Sequence, residues 1–314
     1  MTETGDIAAA RAALSGIPAF AGIDASSVAI DRLGGLTNLV FRVAVGDDVW
    51  CLRLPGKGTE EYIDRANEAV AAEEAAKAGV SPEVIHVDAA SGVMVTRFID
   101  GAVTMTPDVF RERAGSPGRA GEAFARLHAS DAVFPFRFEL FSMIDDYLKF
   151  LSTKTVDLPE GYHDVLKEAE TVRAALDAHP LPSAPCHCDP LCENFLDTGE
   201  TMWIVDWEYS GMNDPMWDLG DLSVEAGFDD AQDMEMVRAY FGREPKPDEM
   251  GRIIIYKAMC DLLWTLWGLI QHANDNPADD FWAYSVTRFE RCKALMATSG
   301  FAGYVAAVAA GPSA

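Results

Sequence analysis

The sequence predicts an α+β fold of two lobes, an N-terminal antiparallel sheet with one long helix followed by a mostly helical C-terminal lobe. Three observations predict it. Short apolar runs separated by glycine turns fill the first hundred residues, an Ala- and Glu-rich stretch of helical character interrupts them, and from Asp100 onward the apolar spacing becomes helical. A chain of 314 residues can bury a large core or two lobes that share a cleft.

In order, VAIDRL, LVFRVAV and VWCLRL read as a three-stranded meander, with turns at Gly34-Gly35 and Gly46-Asp47-Asp48. Residues 60–78, EEYIDRANEAVAAEEAAKA, read as a helix that stops at Gly79, with Pro82 just beyond. Strands at 84–87 and 93–98 follow, joined by DAASG. The expected boundary falls near Phe98–Gly101, giving an N-terminal nucleotide-binding lobe (1–98) and a C-terminal catalytic and acceptor-binding lobe (99–314). Helices are expected at 119–130, 138–151, 160–178 and 250–272, interrupted near 185–207, and the Ala/Gly-rich tail after Gly300 is expected to fray.

The 25 Lys and Arg face 50 Asp and Glu, a formal net charge of −25, which excludes a nucleic-acid backbone as partner. What remains is a solvated acidic surface or a field that draws cationic ligands. The N-terminal MTETGDIAAARAAL is acidic and has no apolar signal core, and no uninterrupted apolar run reaches about 18 residues, so a cytoplasmic protein without membrane insertion is expected. Oligomeric state is not legible. Cys186, Cys188 and Cys192 crowd His187, but this spacing chelates zinc poorly, and they read as small buried thiols.

Residues 185–207, PCHCDPLCENFLDTGETMWIVDW, carry the chemistry. A strand ending at His187 puts Asp189 in a loop and Asn194 at the loop's end. The hairpin NFLDTGETMWIVD then returns Asp206 beside them. Two carboxylates and an amide oxygen suit Mg²⁺, a hard ion that takes oxygen ligands and usually shares its shell with water and phosphate. In phosphoryl transfer the protein chiefly positions and neutralises, so one carboxylate orients the attacking hydroxyl while the others hold metal on the nucleotide.

The pattern H-x-D-x-x-x-x-N, followed by a strand ending in Asp, resembles the catalytic and metal loops of the protein-kinase-like fold. HCDPLCENFL and IVDWEYSGMNDPMWDLGDLSVE are similar to the choline and ethanolamine kinases, including the bacterial choline kinase group, within the aminoglycoside-phosphotransferase-like superfamily. The similarity runs from about Gly34 to Glu290. It implies that Asp189 is the catalytic base or hydroxyl-orienting residue and that Asn194 and Asp206 bind Mg²⁺. It further implies that His187 braces the catalytic loop, that Asp218 anchors it, and that Glu208 lies near the metal or the rim.

For the nucleotide, ATP, the turn GGLTN places Gly34, Gly35, Thr37 and Asn38 where a glycine-rich loop approaches phosphates. CLRLPG offers Arg53 where protein kinases have lysine, with no lysine before Lys57. That departure agrees with choline-kinase-like relatives, and a guanidinium can grip phosphate bidentately. Glu68, fourteen residues before Pro82, is the expected acidic partner, with Glu73 and Glu74 on the same helix read as solvated. Thr96, Phe98 and Ile99 belong to the expected hinge, whose backbone reads adenine.

A quaternary ammonium has no N–H donor, so aromatic faces and negative charge must recognise it. Trp264 and Trp267 stand three apart on one helical face, and Tyr284 follows seventeen residues later. This set resembles the choline pocket of the family, with Glu225 near the ammonium and Tyr209 as a further wall. The expected activity is ATP- and Mg²⁺-dependent phosphorylation of choline. Ethanolamine, an aminoglycoside, thiamine or another amino alcohol is the alternative acceptor, and a non-catalytic binding protein on the same fold is the remote one.

Overall fold

The computed structural model describes residues 3–34, 38–56 and 63–312. Strands β1 (Ala29–Gly34), β2 (Leu39–Val45), β3 (Asp48–Leu54), β4 (Val84–Asp88) and β5 (Val93–Arg97) form one sheet in the order β1-β2-β3-β5-β4, every neighbour antiparallel. The two-residue period of a strand sorts its side chains. Phe41, Val43, Leu52, Leu54 and Val95 point to one face and are buried with Ala10 and Leu14 of helix α1 (Glu3–Ser15). Arg53 points to the other face, toward helix α2 (Arg65–Lys77).

Asp64 caps α2 by accepting from Ala66 and Asn67 N–H, and Gly79, at φ 73°, ends it in a conformation that side-chain-bearing residues avoid. The sequence finds the body of this helix but starts it too early, at 60 where α2 begins at Arg65, with 60–62 outside the described residues, and it misses α1, whose apolar stripe is short and whose partner is a distant sheet face.

After β6 (Val103–Thr104), the chain is mostly helical: α3 (Pro107–Glu112), α4 (Ser116–His128), α5 (Leu140–Leu151) and α6 (Tyr162–Ala178). Four short strands interrupt the helices, β7 (Ala184–Cys186), β8 (Phe195–Asp197), β9 (Met202–Ile204) and β10 (Gly211–Asn213), with β7 paired to β10 and β6-β8-β9 in a separate sheet. Then come α7 (Met216–Ala226), α8 (Asp230–Phe241), α9 (Pro247–Ala273), α10 (Phe281–Met296) and α11 (Phe301–Ala310).

Helix α9 is long and apolar enough to cross a membrane, but 83% of that stretch is buried inside the protein, where α5, α7, α10 and α11 surround it. Gly220 lets α7 lie against it, since a Cβ there would stand 2.8 Å from Ile253 O. The tail after Gly300 is not frayed as expected. It forms α11, whose Phe301 and Val308 are buried and whose Tyr304 carbonyl packs on Gly251 of α9.

The apolar core divides differently from the chain. Ala71, Ala72 and Ala75 of α2, with Val80 and Met94, join the large C-terminal core. Val80 O accepts from Ile204 N–H at 2.8 Å, and Trp207 donates to Ser81 Oγ at 3.1 Å, so α2 and its following turn are fastened to the strand that leads to Asp206.

Candidate active site

The loop after β7 is held from below by one carboxylate. Asp218 in the first turn of α7 accepts from His187 N–H and Cys188 N–H, both at 2.8 Å, and from His128 Nε2 at 2.9 Å. Trp217 donates to Cys188 O at 3.0 Å. These contacts fix Cys188 at φ 68°, a left-handed conformation costly for a residue with a side chain, and so turn the chain sharply just before Asp189.

Asp206 shares this conformation, at φ 68°. Between the two turns sits His187, fully buried against Trp207, and the His187 Nε2 donates to Val205 O at 3.0 Å. Burial keeps its pKa below the ordinary 6.5. One neutral imidazole thus ties the Asp189 loop to the Asp206 loop. Asn194 adds a second tie, donating its side-chain amide to Asp189 O at 3.2 Å while its backbone carbonyl accepts from Val205 N–H at 2.9 Å.

Cys186, Cys188 and Cys192 are buried, and burial pushes their thiols up, against thiolate chemistry.

Arg53 crosses from β3 to meet the second loop. It pairs with Glu68 and donates to Asp206 at 3.0 Å, with Glu208 3.6 Å away. Burial opposes its charge, but Asp206, Glu68 and Glu208 outweigh that and hold its proton more tightly than usual. Arg65 brackets the same acids, 2.8 Å from Glu68 and 3.0 Å from Glu208. Nothing in the linear pattern singles it out, because it is one of several charges at the start of a charged helix.

The carboxylate oxygens of Glu68, Asp206 and Glu208 can all lie within 4.8 Å of one another. Burial, then Glu208, raises the Asp206 pKa despite Arg53. An all-oxygen set still short of positive charge fits a hard divalent cation.

Asn38 donates to Glu208 at 2.6 Å and accepts weakly from Gly56 N–H at 3.4 Å, so this side chain fastens the start of β2 to the acidic cluster. Gly34 ends β1, whereas Gly35 and Thr37 lie outside the described residues. Thr96 sits in β5 opposite Cys51. The expected hinge donor at Phe98 is already engaged, since its N–H goes to Val49 O at 3.2 Å, and Arg42 stacks over its ring. Ile99, the next residue, makes no backbone hydrogen bond among the described residues.

On the helical side, four rings meet. Trp264 and Trp267 of α9 stand edge to face at 6.4 Å, Tyr284 of α10 is 5.8 Å from Trp267, and Tyr209 is 5.8 Å from Trp264 and accepts from Trp267 Nε1 at 3.2 Å. Gly268 makes this possible, for a Cβ there would stand 2.6 Å from the Tyr284 ring. Phe281, edge-on to Trp267, extends the box toward a cavity of about 260 Å³ lined by Asp275, Asp279 and Asp280.

Glu225, expected near the ammonium, already has an ion-pair partner. Arg288, one turn beyond Tyr284, pairs with Glu225, lies 3.1 Å from Asp261 and stacks over the Tyr284 ring at 4.7 Å. An Arg four residues after a Tyr on a helix was a readable signal. Asp221 was another. Asp218, Asp221 and Glu225 follow i, i+3, i+7 spacing, so one stripe of α7 reaches the catalytic loop, Trp264 and Arg288 in turn.

Asp189 is partly exposed between the acidic cluster and the rings. Burial first, then Glu225 and Asp206, raise its pKa from 3.8 to about 8, with Arg288 opposing. Burial first, with a smaller contribution from Asp189, raises the phenols of Tyr209, Tyr284 and Tyr147, the last of these on α5 and pushed to about 12. Tyr147 is a further neighbour that the sequence did not reveal.

Residues 30–252 match the model of a phosphotransferase enzyme family. The crystal structure of a choline/ethanolamine kinase family protein from Mesorhizobium loti is 68% identical, covers 98% of this chain and 100% of its own, and superposes with a TM-score of 0.90. That of choline kinase LicA from Streptococcus pneumoniae is 25% identical over 86% of this chain and 94% of its own, TM-score 0.71. Ethanolamine kinase 1 of Mus musculus is 26% identical over 82% of this chain and 80% of its own length. This chain belongs to the phosphotransferase enzyme family and, within it, to the choline/ethanolamine kinase family.

Proposed function

We propose that the protein transfers the terminal phosphoryl group of ATP to the hydroxyl of choline, giving phosphocholine and ADP. The observation that carries this reading is the four-ring box of Tyr209, Trp264, Trp267 and Tyr284 beside Asp189, in a region where buried acids outnumber cations. At roughly 0.5–2 kcal/mol per cation–π contact, three faces contribute on the order of a few kcal/mol to a trimethylammonium and little to a neutral alcohol. Glu225 is already neutralised by Arg288, which leaves less for the N–H donors of a primary ammonium to bond and favours choline over ethanolamine.

The carboxyl of Asp189 holds its proton up to about pH 8 in the empty protein, and a bound cationic acceptor would favour its ionised form. So ionised, Asp189 accepts the hydroxyl's hydrogen bond and aims its oxygen at the phosphorus. As the new O–P bond forms and the bond to the ADP oxygen breaks, the hydroxyl proton passes to Asp189 Oδ and then to solvent. Arg53, held by Glu68, would meet the phosphates from β3. Asn194 and Asp206, with Glu208 close by, would hold Mg²⁺, which when bound neutralises charge on the phosphate oxygens.

Trp267→Ala tests the box. It removes the ring that contacts Trp264, Tyr284 and Tyr209, and the KM for choline is expected to rise about tenfold or more while the KM for ATP holds. Unchanged choline kinetics would place the acceptor elsewhere.

A further inference from the structure

Asp221 is a buried carboxylate with no counter-ion among the described residues. It is 1% exposed, its Oδ2 accepts from Trp264 Nε1 at 3.2 Å, and its Oδ1 is buried with no hydrogen-bond partner. The neighbouring acids differ. Glu225, one turn further along α7, has Arg288, and Asp261 has Arg288 and Arg291. Among the described residues Asp221 makes no ion pair.

Leaving a carboxylate unpaired in the interior is costly, and an amide would accept the indole N–H as well without that cost. Burial, then Glu225, push this acid upward, with Arg288 opposing and Asp189 adding to the push, so its charge is disfavoured in the empty protein and gains from a cation that enters the ring box. The indole that Asp221 bonds is a wall of the ring box. A charged acceptor on an indole N–H drives electron density into the ring and makes its face more attractive to a cation.

We propose that Asp221 is the counter-charge for the acceptor's ammonium, acting through the Trp264 indole, and that it sets the preference of this site for a cationic over a neutral alcohol. The proposal rests on the cationic-acceptor reading above. It makes Asp221 a positioning and specificity residue, separate from the machinery that moves the phosphoryl group.

The test compares choline with its neutral carbon isostere, 3,3-dimethylbutan-1-ol, as acceptors for wild type and Asp221→Asn, with melting curves of both. Asparagine keeps an acceptor for the indole and removes only the charge. The ratio of kcat/KM for choline to that for the neutral alcohol is expected to fall about tenfold. A purely structural role would lower both acceptors together and leave the ratio where it was, which overturns the proposal. Asp221→Ser, smaller and equally uncharged, gives the same reading should the asparagine variant not fold. A wild type that does not prefer choline to the neutral alcohol overturns the cationic-acceptor reading itself, and the assignment of Asp221 with it.

Discussion

Asp189→Asn is expected to lower kcat about 10²–10⁴-fold, with little change in the KM for ATP, and to make the ligand-free protein more stable at alkaline pH. The first effect follows from losing the acceptor of the hydroxyl proton. The second follows from where Asp189 sits. Its carboxyl ionises near 3.8 when solvated and at about 8 in the fold, where burial and the nearby Glu225 and Asp206 disfavour the charge.

Below pH 3.8 both states keep the proton, and Asp189 does not affect stability. Between 3.8 and 8 the unfolded chain releases the proton while the folded one retains it, so stability falls as pH rises, and above about 8 the whole penalty is present. The asparagine variant escapes it. Thermal melts should coincide near pH 4 and separate steadily up to pH 8.5, where the variant gains roughly 2–5 kcal/mol. A difference that is the same at every pH contradicts this linkage, and near-normal turnover removes Asp189 from the chemistry.

Asp218→Ala is expected to destabilise the fold by about 3–5 kcal/mol and to take activity with it. One carboxylate satisfies His187 N–H, Cys188 N–H and His128 Nε2, and its removal leaves three buried donors without an acceptor. The left-handed turn at Cys188 is held by these bonds and relaxes without them, displacing Asp189. Urea titration should show a lower midpoint at an unchanged slope, with Asp218→Asn intermediate because it keeps one acceptor oxygen. An alanine variant as stable as wild type would mean that Trp217 and Ser210, which bond the same loop, suffice to hold it.

Much of the site was legible because its parts are close in sequence. His187, Asp189, Asn194 and Asp206 lie within twenty residues, and strand and hairpin geometry brings them together without knowledge of the rest of the fold. Glu68 was reachable by its spacing from Pro82, and the meander by glycine turns between apolar runs. What escaped depends on contacts between distant elements. Arg65 matters only because α2 lies over the Asp206 loop, and α11 is ordered only because α9 offers Gly251 beneath Tyr304. Arg288 and Asp221 fall between. Both follow from helical spacing to residues already singled out, but an ion pair across three helices does not show in a linear pattern. The reading of Glu225 lacked this partner, since an acid seen without its arginine looks available to a ligand.

The acceptor remains the central claim, and coupled ADP release with Mg²⁺–ATP across choline, ethanolamine, thiamine and kanamycin at matched concentrations tests it most directly. Turnover selective for choline is the predicted result. Turnover with a different acceptor would keep the phosphotransferase and contradict the ring box as a quaternary-ammonium site, and silence with all four would contradict catalysis on any of these alcohols.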